Sequence, residues 1–474
     1  WLQERPHVSY LVSLVIGEFD RVELKPGRNP VPMTVWAPVG MASHVERTYG
    51  RTGEMIDLFV DRFGTPYPWD RYDQLIVRNF GAGGMENTAA TTLYPTALLD
   101  ERALLDGDIE GLIAHELGHQ WFGDLVTCRS WAHIWLNEGF ATYCSALWRE
   151  HREGQDGYLD SIRNSYGVAR RDHTDGDVGM VSPVYGSAGE TFRRRPNPYP
   201  KGASILHMLR CMVGDELFFQ SIARYLDEHA DGVVETDDFR HAVEATTGLD
   251  LEWFFQQWCY RPGTPQLAVK GWFDASAGEV VIEIDQTQQI TADTPAFRFD
   301  LPVQVIGVDG SSVTKRVAVR ERRAVQRIAV SGVPAMILVD PELHVLKNAT
   351  VELPLRMLMT QAERGPTIAA RRDAIDALRS RAEPEVIELL ATIAMDPARR
   401  STERVDAIEV LRGFGSPGAR ERLAVMLEEG VEDPRVRIEL LQAARVVPED
   451  MGVPILMAAA AGDESYACRA RALD

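Results

Sequence analysis

The predicted arrangement of the chain depends on two short segments, His115-Glu116-Leu117-Gly118-His119 and Trp135-Leu136-Asn137-Glu138-Gly139-Phe140-Ala141. On a helix, positions i and i+4 lie on one face, so both imidazoles can reach one ion. Zn²⁺ takes imidazole and carboxylate ligands in a tetrahedral arrangement that leaves one position for water. Glu116 lies near that metal and is free to accept a proton from the water. The five residues alone also fit a buried helix with two hydrogen-bonded histidines.

Glu138 is the candidate third ligand. It follows His119 by 19 positions, which leaves room for one turn and a second helix. A carboxylate on a second helix packed against the first is the geometry that a His₂Glu catalytic site needs. The sequence therefore predicts one zinc per chain, held by His115, His119 and Glu138. Gly118 costs the first helix up to ~1 kcal/mol relative to Ala, which indicates close packing on that face.

Three ordered motifs carry a family resemblance. H-E-L-G-H-Q-W-F-G-D-L-V-T at 115–127, with W-L-N-E-G-F-A at 135–141, resembles the gluzincin aminopeptidase family, which includes aminopeptidase N and leukotriene hydrolase. Gly83-Gly84-Met85-Glu86-Asn87 is similar to that family's G-A-M-E-N exopeptidase signature. The segment 197–203 resembles the one with the family's catalytic tyrosine, and Tyr199 follows Glu138 by 61 positions. The resemblance covers residues 8–350 well and the helical tail more loosely.

The resemblance implies a zinc-dependent aminopeptidase that hydrolyses the N-terminal peptide bond of peptides through a metal-activated water. Glu116 would then be the general base, and Tyr199 would donate a hydrogen bond to the oxyanion. Glu86 would pair with the free α-ammonium of the substrate. The other residues implied in binding the substrate N-terminus are Gly83, Gly84, Met85 and Asn87. The glycine backbone there would let an extended peptide add strand-like hydrogen bonds.

The chain departs from the family pattern at three positions. Gly84 replaces the usual Ala, Gly118 replaces an Ala or Ser, and Asp124 replaces the usual Asn. None of these changes removes a chemical group. The family also places a β-saddle domain before the catalytic domain, and residues 1–19 are expected to be its remnant, with Ser9–Ile16 as an apolar strand.

The predicted architecture is multidomain α+β. A thermolysin-like catalytic domain over residues 20–262 precedes a small β-sandwich over 263–350, because β-prone runs separated by turn signals follow the Arg261–Pro265 linker. Residues 353–474 are rich in Ala, Leu, Arg and Glu, and Ile375 and Ile408 are 33 positions apart. A period in this range predicts HEAT-like helical repeats, truncated at residue 474, with an ordinary helical bundle as the alternative.

The composition of the chain limits the classes of binding partner that can be expected. The 50 Lys and Arg against 70 Asp and Glu give a net charge of −20, which argues against a nucleic-acid partner. The expected partners are peptides with a free N-terminus, and no apolar run is long enough for a membrane span. An odd number of widely spaced cysteines without C-x-x-C favours free thiols in a reducing compartment, hence a cytoplasmic protein. The sequence does not indicate the oligomeric state.

Three competing functions remain open from sequence. A thermolysin-like endopeptidase shares His₂Glu but gives no reason for the segment 83–87. An epoxide-hydrolysing bifunctional enzyme like leukotriene hydrolase lacks a β-sandwich between its catalytic and helical domains. A non-catalytic scaffold would be expected to lose the metal ligands or Glu116, all of which are present.

Overall fold

A computed structural model describes residues 3–170, 178–292 and 294–474 of the chain. The remaining positions fall in the predicted N-terminal remnant, catalytic domain and sandwich, and lie outside the described residues. Two compact units are formed, and their boundaries cross the linear order of the chain. The first unit comprises 1–99, 108–264 and 289–295, and the second comprises 100–107, 265–288 and 296–474.

The first unit contains a five-stranded mixed sheet in the order β1-β2-β3-β5-β4. Its strands are β1 (Phe19–Leu24), β2 (Met33–Pro38), β3 (Tyr72–Ile76), β4 (Gly84–Met85) and β5 (Ala90–Leu93). β1 is antiparallel to β2, β3 lies parallel to both β2 and β5, and β4 closes the edge antiparallel to β5. All five residues of β3 are buried, as expected for a central strand covered on both faces. β4 carries the start of the Gly84-Met85-Glu86 motif.

Helices build most of the rest of the first unit. They are α1 (Val45–Tyr49), α2 (Thr52–Phe63), α3 (Ala103–Asp106, in the second unit), α4 (Glu110–Gly118), α5 (Trp135–Ala169), α6 (Ala188–Phe192), α7 (Pro198–Val213), α8 (Asp215–His229), α9 (Thr236–Thr247) and α10 (Glu252–Phe255). A short parallel pair joins β6 (Val126–Cys128) to β7 (Gly232–Val234). The core of this unit includes Trp121, Trp135 and Phe140, each at most 1% exposed.

The segment expected as an N-terminal strand has a different structure, and that prediction is wrong. Ser9–Leu11 forms a 3₁₀ turn, and no strand is present among the described residues before Phe19. Val12, Leu14 and Ile16 are exposed by 66%, 84% and 86%. The segment is apolar, but a strand needs a neighbouring strand for its backbone hydrogen bonds, and the described sheet offers none here.

The second unit holds two sheets. Their strands are β8 (Gln266–Asp274), β9 (Glu279–Gln286), β10 (Phe299–Gly307), β11 (Ser312–Val319), β12 (Arg323–Ala329), β13 (Pro334–Val339) and β14 (Asn348–Glu352). One sheet has the order β11-β10-β13 and the other β12-β9-β8-β14. Ile337 of the first sheet faces Gly271 of the second across their inner surfaces. Each of the six β-prone runs of the sequence forms a strand, while β14, which pairs parallel with β8, was not predicted.

Eight further helices complete the second unit. They are α11 (Leu355–Arg364), α12 (Ile368–Ala377), α13 (Pro384–Met395), α14 (Ser401–Phe414), α15 (Pro417–Glu429), α16 (Pro434–Ala443), α17 (Glu449–Gly462) and α18 (Tyr466–Leu473). Even-numbered helices pack on one another in succession, and α13 packs on α15. Arg372 of α12 and Asp406 of α14 join two successive helices by a buried ion pair of 2.6 Å. In the described chain, no helix combines the length and apolar character needed to cross a membrane.

The short segment 100–107 belongs to this second unit. The Arg102 guanidinium donates to the carbonyl oxygens of Asp463 and Glu464, at 3.0 and 2.8 Å. The Asp106 carboxylate accepts hydrogen bonds from the Ser465 hydroxyl and from the amide of Ala467. The segment is thus fixed to the residues that begin α18, although α4 starts only a few residues after it in the chain.

Candidate active site

Three side-chain atoms converge at one point. One comes from His115 of α4, one from His119 at the C-terminal cap of α4, and one from Glu138 of α5. Glu138 Oε2 lies 3.3 Å from His115 Nε2 and 3.2 Å from His119 Nε2, and the two imidazole nitrogens are 3.2 Å apart. Around a tetrahedral Zn²⁺ with ligand distances of ~2.0–2.1 Å, neighbouring ligand atoms are separated by about 3.3–3.4 Å. The triangle of donor atoms therefore fits one tetrahedral ion of this size, with its fourth position left open.

Backbone packing sets this triangle. The ring of His119 is oriented by its Nδ1, which lies 2.9 Å from the carbonyl oxygen of Phe122 and leaves Nε2 for a metal. A Cβ placed at Gly118 would lie 2.6 Å from Cys144 Sγ of α5. The close packing expected from Gly118 is confirmed, because this glycine lets the two ligand-bearing helices approach each other. Cys144 and Cys128 are buried free thiols, and burial raises the pKa of Cys128 to about 12.

A cavity of about 460 Å³ opens at the triangle. It is lined by all three candidate ligands and by Glu86, Glu116 and Tyr199. Gly83 and Gly84 also face this cavity, with Ala82 and Leu112 as apolar neighbours. Met85 and Asn87 are not among the lining residues. The structure thus brings together most residues that the sequence singled out, although they come from segments more than 100 positions apart.

Two carboxylates beside the ligands are almost completely removed from solvent. Glu116 is 4% exposed and Glu86 is 7% exposed. Burial raises the pKa of Glu116 well above its usual range, and it raises that of Glu86 in the same direction. Burial acts to lower the pKa of His119, but Glu86 and Glu138 raise it well above its usual value. Burial and the crowding of acidic groups thus disfavour the charged form of these carboxylates, and a bound cation would relieve this.

Tyr199 completes the rim of the cavity. It lies in the first turn of α7, where the Asn197 side chain caps the helix by accepting from the Tyr199 amide at 3.0 Å. Its ring stacks on that of His115, with centroids 5.9 Å apart and planes 6° from parallel. Burial and the nearby Glu138 carboxylate raise the pKa of Tyr199 above its usual value. The phenol therefore stays protonated and can act as a hydrogen-bond donor.

Sequence reasoning missed how the segment before β1 reaches the site. The Asn87 amide donates to the carbonyl oxygen of Leu11 at 2.9 Å and accepts from the Thr92 hydroxyl at 2.7 Å. Tyr10 accepts from the Asn137 amide at 3.1 Å. Asn87 therefore binds the segment that precedes β1, and both its amide nitrogen and its amide oxygen are hydrogen-bonded. No local pattern marks Tyr10, because its partners are contributed by distant segments.

Asp124 is a further buried acid that the sequence marked only as a departure. It is 2% exposed, and both carboxylate oxygens lack a hydrogen bond to any described residue. Burial raises the pKa of Asp124 well above its usual range, and the Glu86 carboxylate adds to this. Asp124 is not among the residues that line the cavity. Its environment is that of a neutral side chain.

Comparison with known proteins gives a family match and a fold match. Residues 47–258 match the peptidase family M1 domain. The crystal structure of Legionella pneumophila aminopeptidase A in complex with aspartic acid superposes with a TM-score of 0.82 at 17% sequence identity. This superposition covers 100% of the present chain and 61% of that one. At this identity the likeness establishes the fold alone.

Similar sequences are found in plants, bacteria and archaea. Aminopeptidase M1 of Arabidopsis thaliana is 32% identical over 306 residues, which cover 62% of this chain and 33% of the plant protein. Aminopeptidase N of Streptomyces lividans is 31% identical, covering 54% of this chain and 31% of that protein. Tricorn protease-interacting factor F2 of Thermoplasma volcanium is 36% identical, covering 45% and 28%. The matched region thus spans about a third of the length of these relatives.

Proposed function

We propose that this protein is a zinc-dependent aminopeptidase acting on peptides with a free N-terminus. The match of residues 47–258 to the peptidase family M1 domain supports this proposal. One observation carries the proposal: the candidate zinc ligands and the buried Glu86 carboxylate line the same cavity. A peptidase that accepts internal peptide segments would have no use for a further buried carboxylate at that place. The ammonium group of a peptide N-terminus supplies the missing counter-charge.

His115, His119 and Glu138 would hold one zinc ion per chain. Their donor atoms form the triangle of 3.2–3.3 Å edges described above. When bound there, zinc would acidify a water towards a pKa of ~7 and polarise the scissile carbonyl. Burial would raise the pKa of Glu138, but His119 and His115 lower it to about 2, so the carboxylate is ionised and ready to bind a cation.

Glu116 is the proposed general base. It lies in the same cavity, one position from a ligand, and its Oε2 has no hydrogen-bond partner among the described residues. A carboxylate whose pKa is raised by burial is a stronger base than one in water, and a base near the working pH is the most efficient. Glu116 would accept the proton of the attacking water and pass it to the leaving amine.

Tyr199 and Glu86 would act on the substrate itself. The Tyr199 phenol would donate to the oxyanion as the carbonyl becomes tetrahedral, a contact worth typically ~2.7–4 kcal/mol. Glu86 would pair with the α-ammonium and so set the distance between the N-terminus and the scissile bond. The backbone of Gly83 and Gly84, which lines the cavity, would bind the peptide in an extended form.

We infer further that residues 263–350 form a β-sandwich and that 353–474 form a HEAT-like α-solenoid. The second helix of each pair begins at Ile368, Ser401, Pro434 and Tyr466, at intervals of 33, 33 and 32 residues. The packing of α12, α14, α16 and α18 in succession supports stacked repeats, since a bundle has no such regular order.

Comparing free with N-acetylated peptides tests the function. Wild type is expected to hydrolyse the free form and to leave the acetylated form almost untouched, because acetylation removes the cation that Glu86 binds. Glu86→Ala should lose a large factor in kcat/KM on free peptides, since one partner of a desolvated ion pair is removed. Glu86→Gln should lose less, because an amide oxygen still accepts one hydrogen bond.

Neither Glu86 variant should release zinc, and Glu252→Gln, which changes an exposed glutamate of α10, provides the matched control. Cleavage of the acetylated peptide about as fast as the free one would indicate an endopeptidase instead. Absence of hydrolysis of either form by the zinc-loaded wild type would favour a scaffold.

A further inference from the structure

Helices α5 and α7 touch through their backbones at one crossing point. A Cβ built on Gly139 would lie 2.8 Å from the Cα of Gly202, and one built on Gly202 would lie 2.7 Å from the Cα of Gly139. Carbon atoms in contact are normally ~3.5–4.0 Å apart. A methyl group on either residue therefore requires the two helices to separate by about 1 Å at this point.

This contact is local and unusual within the helices. Glycine is a poor helix former, yet both residues lie in helix interiors. The nearest atom that each Cβ would meet is a backbone atom of the other helix, so the closest contact cannot be relieved by turning a side chain away. Gly167 of α5 differs, because a Cβ there would meet nothing within 4 Å. The close approach is thus a property of the Gly139–Gly202 pair.

The two glycines lie beside residues of the proposed active site. Glu138 immediately precedes Gly139 on α5. Tyr199 lies three positions before Gly202, one turn away on the same face of α7. Tyr199 and Glu138 line the same cavity, and the Tyr199 ring stacks on that of His115. The separation of the two helices therefore sets how far the phenol lies from the candidate metal ligands.

We propose that Gly139 and Gly202 are positioning residues, which fix the spacing between the ligand-bearing helix and the Tyr199 helix at the value that oxyanion stabilisation requires. The inference rests on the proposed function, in which Tyr199 is the oxyanion donor. A displacement of about 1 Å in a catalytic group can cost ~10²-fold in rate. Substitution by alanine, which favours helix formation, would thus lower turnover through geometry alone.

The experiment measures kcat, KM, zinc content and thermal stability for Gly202→Ala and Gly139→Ala, with an aminoacyl-coumarin substrate. Gly167→Ala is the matched control, because it makes the same substitution in α5 where the methyl has room. Each glycine substitution is also made in a Tyr199→Phe background. We expect kcat to fall by about 10–100-fold with zinc retained, and the fall to shrink below about threefold once the phenol is gone.

Several results would overturn the inference. An equal loss of kcat in both backgrounds would mean that the glycines act on the site as a whole and not through Tyr199. A kcat within about threefold of wild type would mean that the helix spacing does not matter to the reaction. Insolubility of both glycine variants, with Gly167→Ala soluble, would assign the contact to folding. A wild type inactive on free aminoacyl substrates would refute the proposed function, which is a distinct outcome.

Discussion

Tyr199→Phe isolates one hydroxyl group. Phenylalanine keeps the ring that stacks on His115 at 5.9 Å and lies 6.4 Å from the ring of Phe192. Only the donor to the oxyanion is removed, and such a donor is worth ~10²–10³ in kcat. The contact forms in the transition state, so kcat and kcat/KM should fall together while KM changes little. Zinc content should stay at the wild-type level, because Tyr199 is not among the candidate ligands.

The same structure predicts the pH dependence of this variant. Burial and the Glu138 carboxylate raise the pKa of Tyr199 beyond the usual phenol value of ~10. The phenol therefore stays protonated over an assay range of about pH 5 to 9. Profiles of kcat against pH for wild type and Tyr199→Phe should have the same shape and differ only by a constant factor.

A matched control is available in Tyr225→Phe. Tyr225 is another fully buried tyrosine packed among aromatic rings, and its hydroxyl has no hydrogen-bond partner among the described residues. This control should keep wild-type kcat and stability. Stopped-assay initial rates over a range of substrate concentration give both constants. A Tyr199→Phe enzyme with more than about a third of wild-type kcat would refute the assignment of Tyr199 as oxyanion donor.

Three further outcomes are expected. Glu116→Gln should keep its zinc but lose ~10²–10⁴ in kcat, and retention of more than about a tenth of wild-type kcat would contradict general-base catalysis. Elemental analysis should find about one zinc per chain and little in His119→Ala, whereas fewer than about 0.2 equivalents in zinc-reconstituted wild type would exclude the site. Asp124→Asn should stabilise the zinc-free protein at pH 7. Because the pKa of Asp124 is raised in the folded state, the free energy of unfolding of wild type falls by up to ~1.4 kcal/mol for each pH unit above ~3.9. The stability advantage of Asp124→Asn should therefore vanish near pH 4. Equal urea midpoints of the two proteins at pH 7 would refute this prediction.

The part of the site that could be predicted is the part encoded by local spacing. His115 and His119 lie on one helix face by geometry alone, and Glu138 needed only a second helix packed on the first. The Leu11 carbonyl that binds Asn87 is 76 positions away, and a backbone acceptor leaves no mark in a sequence. The burial of Asp124 was equally hidden, since it depends on what packs around it.

The same distinction between local sequence patterns and contacts of distant residues applies to the fold. The strands of the two sheets in the second unit were predicted from runs of β-branched and apolar residues, which alternate because one face is buried. β14 escaped because its residues are mostly exposed and its partner β8 lies more than 70 positions earlier. The apolar spacing of residues 41–63 is that of one helix, but the structure has two, since α1 ends at Tyr49 and α2 begins at Thr52. Ser9–Ile16 had the pattern of a strand but no strand beside it.

The attachment of segment 100–107 to the start of α18 has a consequence for synthesis on the ribosome. Asp106 and its partners Ser465 and Ala467 are separated by about 360 residues. At a translation rate of ~5–20 residues per second, roughly 20–70 s pass between the emergence of the two sides. The segment that leads into α4 therefore stays without these partners until residues 465–467 have been made. Its docking is a late step relative to the synthesis of α4, and the nascent chain should become resistant to proteolysis at residues 100–107 only after residues 465–467 have left the ribosome.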